Sequence, residues 1–193
     1  GFKLIILIFI ELIIGVTGGL LLTIFFAASN LAGEKIAAST GLAFAGLLDP
    51  ESGAQTPVIS QILSLFMIVT FLSLDGHLLV IAVMIESYNI IPIGATNLNI
   101  NIIKLGIDAG GLMFKLGALI MLPVVVGITL LNVVIGIVTR SAPTLNLFAF
   151  GFPITMIFAF FLLYVCTNTI GINFSNVTNV SIDYINRLVE GLL

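Results

Sequence analysis

The sequence predicts an all-α integral membrane protein whose helices are long and rich in glycine. The chain of 193 residues is 60% hydrophobic and only 8% charged, whereas soluble domains carry about 25% charged residues. Its mean hydropathy is +1.30. The apolar residues form long continuous runs instead of the alternation that is typical of a membrane β-barrel. Because backbone groups in lipid must be bonded within their own segment, such runs favour helices.

The first two elements differ in length. Residues 4–29 are long enough to span a bilayer, which takes about 20 residues. Gly15 and Gly19 lie four positions apart within this run, a spacing that lets membrane helices approach closely. Residues 36–48 are too few to span, and they end at the polar stretch DPESGAQTP (49–57), which predicts a turn.

The next two runs are longer than a single span requires. Residues 58–91 would reach about 50 Å as one helix, against a hydrocarbon core of about 30 Å. This run is either a hairpin broken at Asp75-Gly76-His77 or a helix that extends outside the lipid. Residues 102–138 are also too long for one simple span. Their glycines and internal polar residues indicate packing against protein on most sides, so we expect the chain to be part of a larger assembly.

The last two elements follow a break at TRSAP (139–143) that contains Arg140. Residues 145–166 are predicted to span with a kink at 151–153, where the sequence reads GFP. Residues 174–192 are predicted to form an amphipathic helix, because apolar residues recur at a spacing of three to four. The apolar face comprises Phe174, Val177, Tyr184, Ile185, Leu188, Val189 and Leu192.

Polar residues inside the third run raise the possibility of a metal or proton-relay site. Asp75 and His77 are two positions apart, so on a helix they point to different faces. Glu86 could lie near the face of His77. Hydrogen bonding of Asp75 and His77 to neighbouring helices or to a turn at Gly76 is the favoured interpretation, with proton coupling as the alternative.

Charged residues in the fourth run suggest a structural role. Lys104 and Asp108 lie four apart on one helix face and are predicted to form an ion pair. A structural pair is favoured over a transport site. The chain contains one histidine and one cysteine and lacks the common hydrolase, metalloprotease and P-loop motifs, so no catalytic, cofactor or metal site is predicted. The sequence contains no basic stripe, so nucleic-acid binding is not predicted.

The segment between the third and fourth runs is neither charged nor suited to a helix. Pro92 and Gly94 stop a helix, asparagines can bond the loop backbone, and no charge lies between Glu86 and Lys104. The residues alone favour an ordinary interhelical turn over an apolar obstruction in a pore. The segment consists of Ile90, Ile91, Pro92, Ile93, Gly94, Ala95, Thr96, Asn97, Leu98, Asn99, Ile100 and Asn101.

Four stretches in order resemble the FliR family of flagellar export-gate proteins, which is related to the T subunit of virulence type III secretion systems. They are AGEKIAASTGLAFAGLLDPESGAQTPV (32–58), FLSLDGHLLVIAVMIESYNIIPIG (71–94), AGGLMFKLGALIMLPVV (109–125) and TRSAPTLNLFAFGFP (139–153). The DPESGAQTP and DGH motifs resemble those of the flagellar proteins more than those of the virulence proteins. The family's first apolar segments have no counterpart before residue 4, so we expect residues 1–193 to be a single membrane domain that lacks those segments.

The resemblance implies long, tilted, glycine-rich helical hairpins that spiral together with the partner proteins FliP and FliQ, and also contact FlhB. The expected location is the bacterial inner membrane at the flagellar basal body. Part of that assembly is expected on the periplasmic side, and unfolded flagellar proteins are the expected substrates. In the family, the segment that matches 90–101 is a plug loop in the export pore. With the resemblance, the plug is favoured over the turn.

Two alternatives stay open. One is a virulence gate subunit. The other is an ion-coupled secondary transporter, in which broken helices would bring Asp75, His77, Glu86 and Asp108 to a site at the membrane midplane.

Overall fold

The computed structural model describes residues 2–41, 57–90, 101–141 and 150–190. These residues form helices and contain no strand, which confirms the predicted all-α class. The helices are α1 (Phe2–Ser39), α2 (Val58–Ser73), α3 (Gly76–Ile90), α4 (Asn101–Ser141), α5 (Phe152–Val165) and α6 (Thr167–Glu190).

Helix α1 is one continuous helix of 38 residues, so the predicted separation of 4–29 from 36–48 is wrong. Glu34 and Lys35, which interrupt the apolar pattern, are exposed on the helix surface and do not end it. The helix ends where Gly41 adopts a φ of 82°, a left-handed conformation that commonly terminates helices. The polar residues Glu34 and Lys35 therefore did not mark the end of α1.

Helices α1 and α4 are long and apolar enough to cross a membrane, over Leu4–Ser39 and Lys104–Ser141. At 38 and 41 residues, each would extend roughly 60 Å at 1.5 Å per residue. Pro123 lies inside α4 without ending it. The two helices run parallel, because Gly117 of α4 lies against Ala28 of α1 and Asn132 reaches Ser39.

Helices α2 and α3 meet at a sharp corner, at the predicted position of the break. They are bent by 62°, so the run neither reverses as a hairpin nor continues as one straight helix. Asp75 has a φ of 55°, and its carbonyl accepts hydrogen bonds from the N–H groups of Leu78 and Leu79 at 3.0 and 3.1 Å. One left-handed residue thus ends α2 and starts α3. Taken together, the two helices are long enough for a further span.

Helices α5 and α6 form a second corner, bent by 66° next to Cys166, and together could form a fourth span. The predicted kink at 151–153 is wrong, because α5 begins there with Pro153 in its first turn. Proline is well tolerated at this position, where its missing N–H has no partner to lose. Residues 145–149 of the predicted run lie outside the described residues.

The hydrophobic core lies between the second half of α1, the middle of α4, and one face each of α2 and α6. Buried residues on α1 and α4 recur at three to four positions, as the predicted helical packing requires. The core residues include Leu21, Phe25, Ala28, Ala32 and Ile36 of α1, Leu116, Ile120, Val124 and Ile128 of α4, Ile59, Leu63 and Met67 of α2, and Phe174 and Val177 of α6.

The amphipathic prediction for the last element is confirmed over the residues that the structure describes. The predicted apolar face is buried at Phe174, Val177, Ile185, Leu188 and Val189. Tyr184 is half-buried and packs edge-on against Phe25, with ring centroids 5.1 Å apart. The helix begins earlier than predicted, at Thr167, and Leu192 lies outside the described residues.

Candidate functional site

The candidate plug segment follows helix α3 in the sequence and leads to helix α4. Helix α3 ends at Ile90 and α4 begins at Asn101, while residues 91–100 lie outside the described part of the chain. Helix α3 presents apolar side chains on several sides, since Leu79, Ile81 and Met84 point in different directions around the helix and are all exposed. The helix that leads into the segment therefore offers apolar surface to lipid or to other proteins.

The structure separates the backbone role of Asp75 from the environment of His77. The Asp75 side chain is exposed, and its backbone forms the α2–α3 corner. His77 is half-buried, and its buried Nδ1 has no hydrogen-bond partner in the described part of the molecule. The hydrogen bonds at the corner involve the backbone of Asp75, whereas the prediction concerned the polar side chains of Asp75 and His77, and it stays a prediction.

Glycine is required at position 76, between Asp75 and His77, because the ring of Phe71 occupies the space that a side chain would need. A Cβ at this position would lie 2.5 Å from the ring of Phe71. Phe71 in turn packs edge-on against Phe26 of α1, with ring centroids 5.1 Å apart. The corner is therefore anchored to α1 through two aromatic rings.

The remaining candidate charges do not converge. Lys104, Asp108 and Glu86 are exposed. The predicted ion pair is wrong, because Lys104 and Asp108 form no salt bridge in the described structure; on an exposed surface, such a pair gains little over water. Across residues 2–41, 57–90, 101–141 and 150–190, no group of three or more His, Cys, Asp or Glu side chains could hold a metal ion.

Arg140 lies exposed in the last turn of α4. A positive charge there interacts favourably with the negative end of the helix dipole.

Hydrogen bonds between helices involve polar residues that the sequence analysis did not single out. The Asn132 side chain donates to the Ser39 carbonyl at 3.0 Å, and the Asn173 side chain donates to the Leu119 carbonyl at 3.1 Å. Buried Thr155 donates to the Thr40 carbonyl at 3.1 Å. Single amides and hydroxyls inside apolar helices are the signal that could have identified these contacts, since such groups commonly bond across helices in membranes.

Helices α1 and α2 are in close contact. A Cβ on Gly33 would lie 2.3 Å from the Cα of Ser60. Next to this point, the Ser60 hydroxyl donates to the Asn30 carbonyl at 3.1 Å, and the Ser64 hydroxyl bonds to the Asn30 side chain. Small residues thus let the two backbones touch and bond.

An apolar groove of about 270 Å³ lies between α2, α5 and α6. Its lining includes the aromatic side chains of Phe66, Phe160, Tyr164 and Phe174 and has no charged residue. The polar side-chain groups in its lining are the hydroxyls of Thr70, Tyr164 and Thr167. The groove is therefore suited to apolar contact.

Comparison with known proteins gives a consistent family assignment. The family model described as bacterial export proteins, family 1, matches residues 1–180. The chain is 35% identical over 146 residues to the flagellar biosynthetic protein FliR of Escherichia coli (strain K12), and 38% identical over 146 residues to that of Pectobacterium carotovorum. Each match covers 76% of this chain and 56% of the relative.

A more distant relative matches over a longer stretch. The chain is 29% identical over 186 residues to FliR of Bacillus subtilis (strain 168), which covers 95% of this chain and 72% of that protein. The chain thus spans little more than half the length of the first two relatives, while the family model extends over nearly all of it. The chain belongs to the bacterial export proteins, family 1.

Proposed function

We propose that this chain is a membrane subunit of the flagellar type III protein export gate. The family membership carries this proposal, and the relatives named above are flagellar biosynthetic proteins. Helices α1 and α4, which exceed the bilayer in length and expose apolar side chains, support a subunit that packs against other proteins as well as lipid. The flagellar names favour this function over a virulence gate.

The proposed setting is the bacterial inner membrane at the flagellar basal body, with part of the assembly on the periplasmic side. The proposed partners are FliP, FliQ and FlhB, and the substrates are unfolded flagellar proteins. We assign the chain no catalytic step, cofactor, metal or nucleic acid. The driving force for export then comes from other components of the apparatus.

The proposed mechanism places residues 90–101 in the pore as a plug at rest. These residues carry no charge that could bind an ion, and their isoleucines and leucine resist wetting. Pro92 and Gly94 disfavour a helix between Ile90, where α3 ends, and Asn101, where α4 begins. Non-helical backbone at this depth is tolerated only within protein or along a cavity. An arriving polypeptide displaces the segment, which returns when export ends.

Deletion of residues 93–98 tests this mechanism in the assembled gate. We expect the deletion to raise the conductance for small ions well above that of the intact gate. A variant with the same six positions replaced by glycine and serine keeps the loop length and should leak as well. Both must copurify with the partner subunits in normal ratio, and conductance at the intact level would contradict the plug.

One observation favours a second function, ion-coupled transport: the buried Nδ1 of His77 has no partner in the described structure. The double substitution Asp75→Asn and His77→Gln decides between the two. We expect export to continue at a near-normal rate, because these residues have a structural role in a gate subunit. Loss of export with normal assembly would support proton coupling instead.

A further inference from the structure

Helix α6 differs from the other helices in what it exposes. Helices α1 to α5 each expose several large apolar side chains, as membrane helices do. On α6, the one large apolar side chain that is exposed within the described residues is Ile172. The outer face of α6 is therefore not a lipid-facing surface.

A stripe of polar side chains, most of them neutral amides, dominates that outer face. Asn176, Asn179, Asp183 and Asn186 follow one another at steps of three to four residues, which places them on one side of the helix. We define the asparagine face as the exposed residues Asn168, Thr169, Asn176, Asn179 and Asn186.

The asparagine face has almost no net charge. Residues 167–182 contain no charged side chain. The first charges beyond them, Asp183 and Arg187, pair with each other at 2.9 Å. Contact with hydrocarbon would leave the amides of this face without hydrogen-bond partners. A helix surface in water is more often covered with lysine and glutamate, because these residues favour helices more than asparagine does.

Helix α6 also packs against both α3 and α4, the two helices that flank residues 91–100 of the candidate plug segment in the sequence. Its last turns reach the first half of α1, where Leu188 packs against Gly18. Since α1 and α4 run parallel, this is the end of the bundle at which α4 begins.

We infer that the asparagine face of α6 lines the aqueous export path and contacts the main chain of the unfolded polypeptide in transit. This inference rests on the proposed function. A carboxamide both donates and accepts hydrogen bonds, and every polypeptide presents the same backbone N–H and C=O groups. A neutral face traps neither acidic nor basic segments, and contacts of this kind are weak enough to release a moving chain.

Site-specific photo-crosslinking in the assembled gate tests the inference. The export substrate is a flagellar subunit fused to a stably folded domain, which stalls in the path. A photoreactive amino acid at Asn176 or Asn179 should crosslink to the stalled chain, whereas at Ile157 of α5, an apolar side chain that is 71% exposed, it should not. Crosslinks from both asparagine positions only to lipid or to another gate subunit would overturn the inference.

Secretion by substituted proteins gives a second readout. The double substitution Asn176→Gln and Asn179→Gln keeps the amides and should secrete at the wild-type rate. Asn176→Leu with Asn179→Leu should lower secretion several-fold while the gate still assembles in normal amount. Unchanged secretion by the leucine variant would contradict the inference.

The wild-type protein separates this inference from the proposed function. If the full-length wild-type protein fails to restore secretion to a strain that lacks its own gate subunit, the proposed function fails and the inference fails with it. If secretion is restored and the crosslinks to substrate are absent, only the role of the asparagine face is wrong.

Discussion

Small and polar residues determine how closely the helices of this protein pack. Gly33 lets α1 touch the backbone of α2 at Ser60. Next to it, Asn30 of α1 accepts hydrogen bonds from the Ser60 hydroxyl. Thr155 and Asn132 connect the end of α1 to α5 and α4. Each contact depends on one side chain. Single substitutions at these positions should therefore lower the free energy of unfolding, whereas substitutions at outward-facing positions should not.

Gly33→Ala should lower the free energy of unfolding by about 1–3 kcal/mol, because the new methyl group would overpack the contact with Ser60. Gly19→Ala is the matched control, since nothing lies within 4 Å of a Cβ at that position. The control should be neutral or gain up to about 1 kcal/mol from the helix preference of alanine. A detergent–denaturant titration of the assembled protein, followed by helicity, measures both, and equal midpoints would refute the close contact.

Thr155→Val should lower the free energy of unfolding by about 1–3 kcal/mol, because it removes the donor to the buried Thr40 carbonyl without changing the side-chain shape much. Thr129→Val serves as the control, since the Thr129 hydroxyl is exposed and bonds within its own helix to Val125. The control should change the titration midpoint little. A loss of similar size in both variants would mean that the interhelical bond contributes nothing of its own.

At the scale of elements, the α2–α3 corner depends on a single backbone conformation. Asp75→Asn should keep both the bend and export, because asparagine tolerates a positive φ. Asp75→Val should lower the free energy of unfolding by about 1–2 kcal/mol, because a β-branched side chain is strained in the left-handed region. If Asn disrupts the protein as much as Val does in the same titration, the charge of Asp75 matters more than its φ.

The sequence was sufficient for elements that local chemistry determines. The break at Asp75-Gly76 follows from residues that favour a turn, and the buried face of α6 follows from the spacing of its apolar residues. The continuity of α1 past Glu34 and Lys35 could not be predicted, because charged side chains are accommodated wherever the helix surface stays open. The partners of Asn132 and Asn173 depend on which helices meet, and periodicity does not contain that information.

At the scale of the whole molecule, the exposed apolar surface suggests that the protein is completed by partners. Expressed with FliP and FliQ, the full-length protein should copurify in one complex of fixed composition, because partner helices cover apolar side chains that are open in the single chain. Expressed alone, it should give heterogeneous particles in detergent. Size-exclusion chromatography with mass determination measures both, and a stable small oligomer in the absence of partners would favour a transporter.

The lengths of α1 and α4 have a consequence for how the protein sits in its membrane. Fitting roughly 60 Å of helix inside about 30 Å of hydrocarbon would need a tilt of about 60°, and membrane helices tilt by about 0–40°. Part of both helices must therefore stand outside the acyl chains. A change to shorter or longer lipids should therefore move the headgroup boundary along α1 and α4.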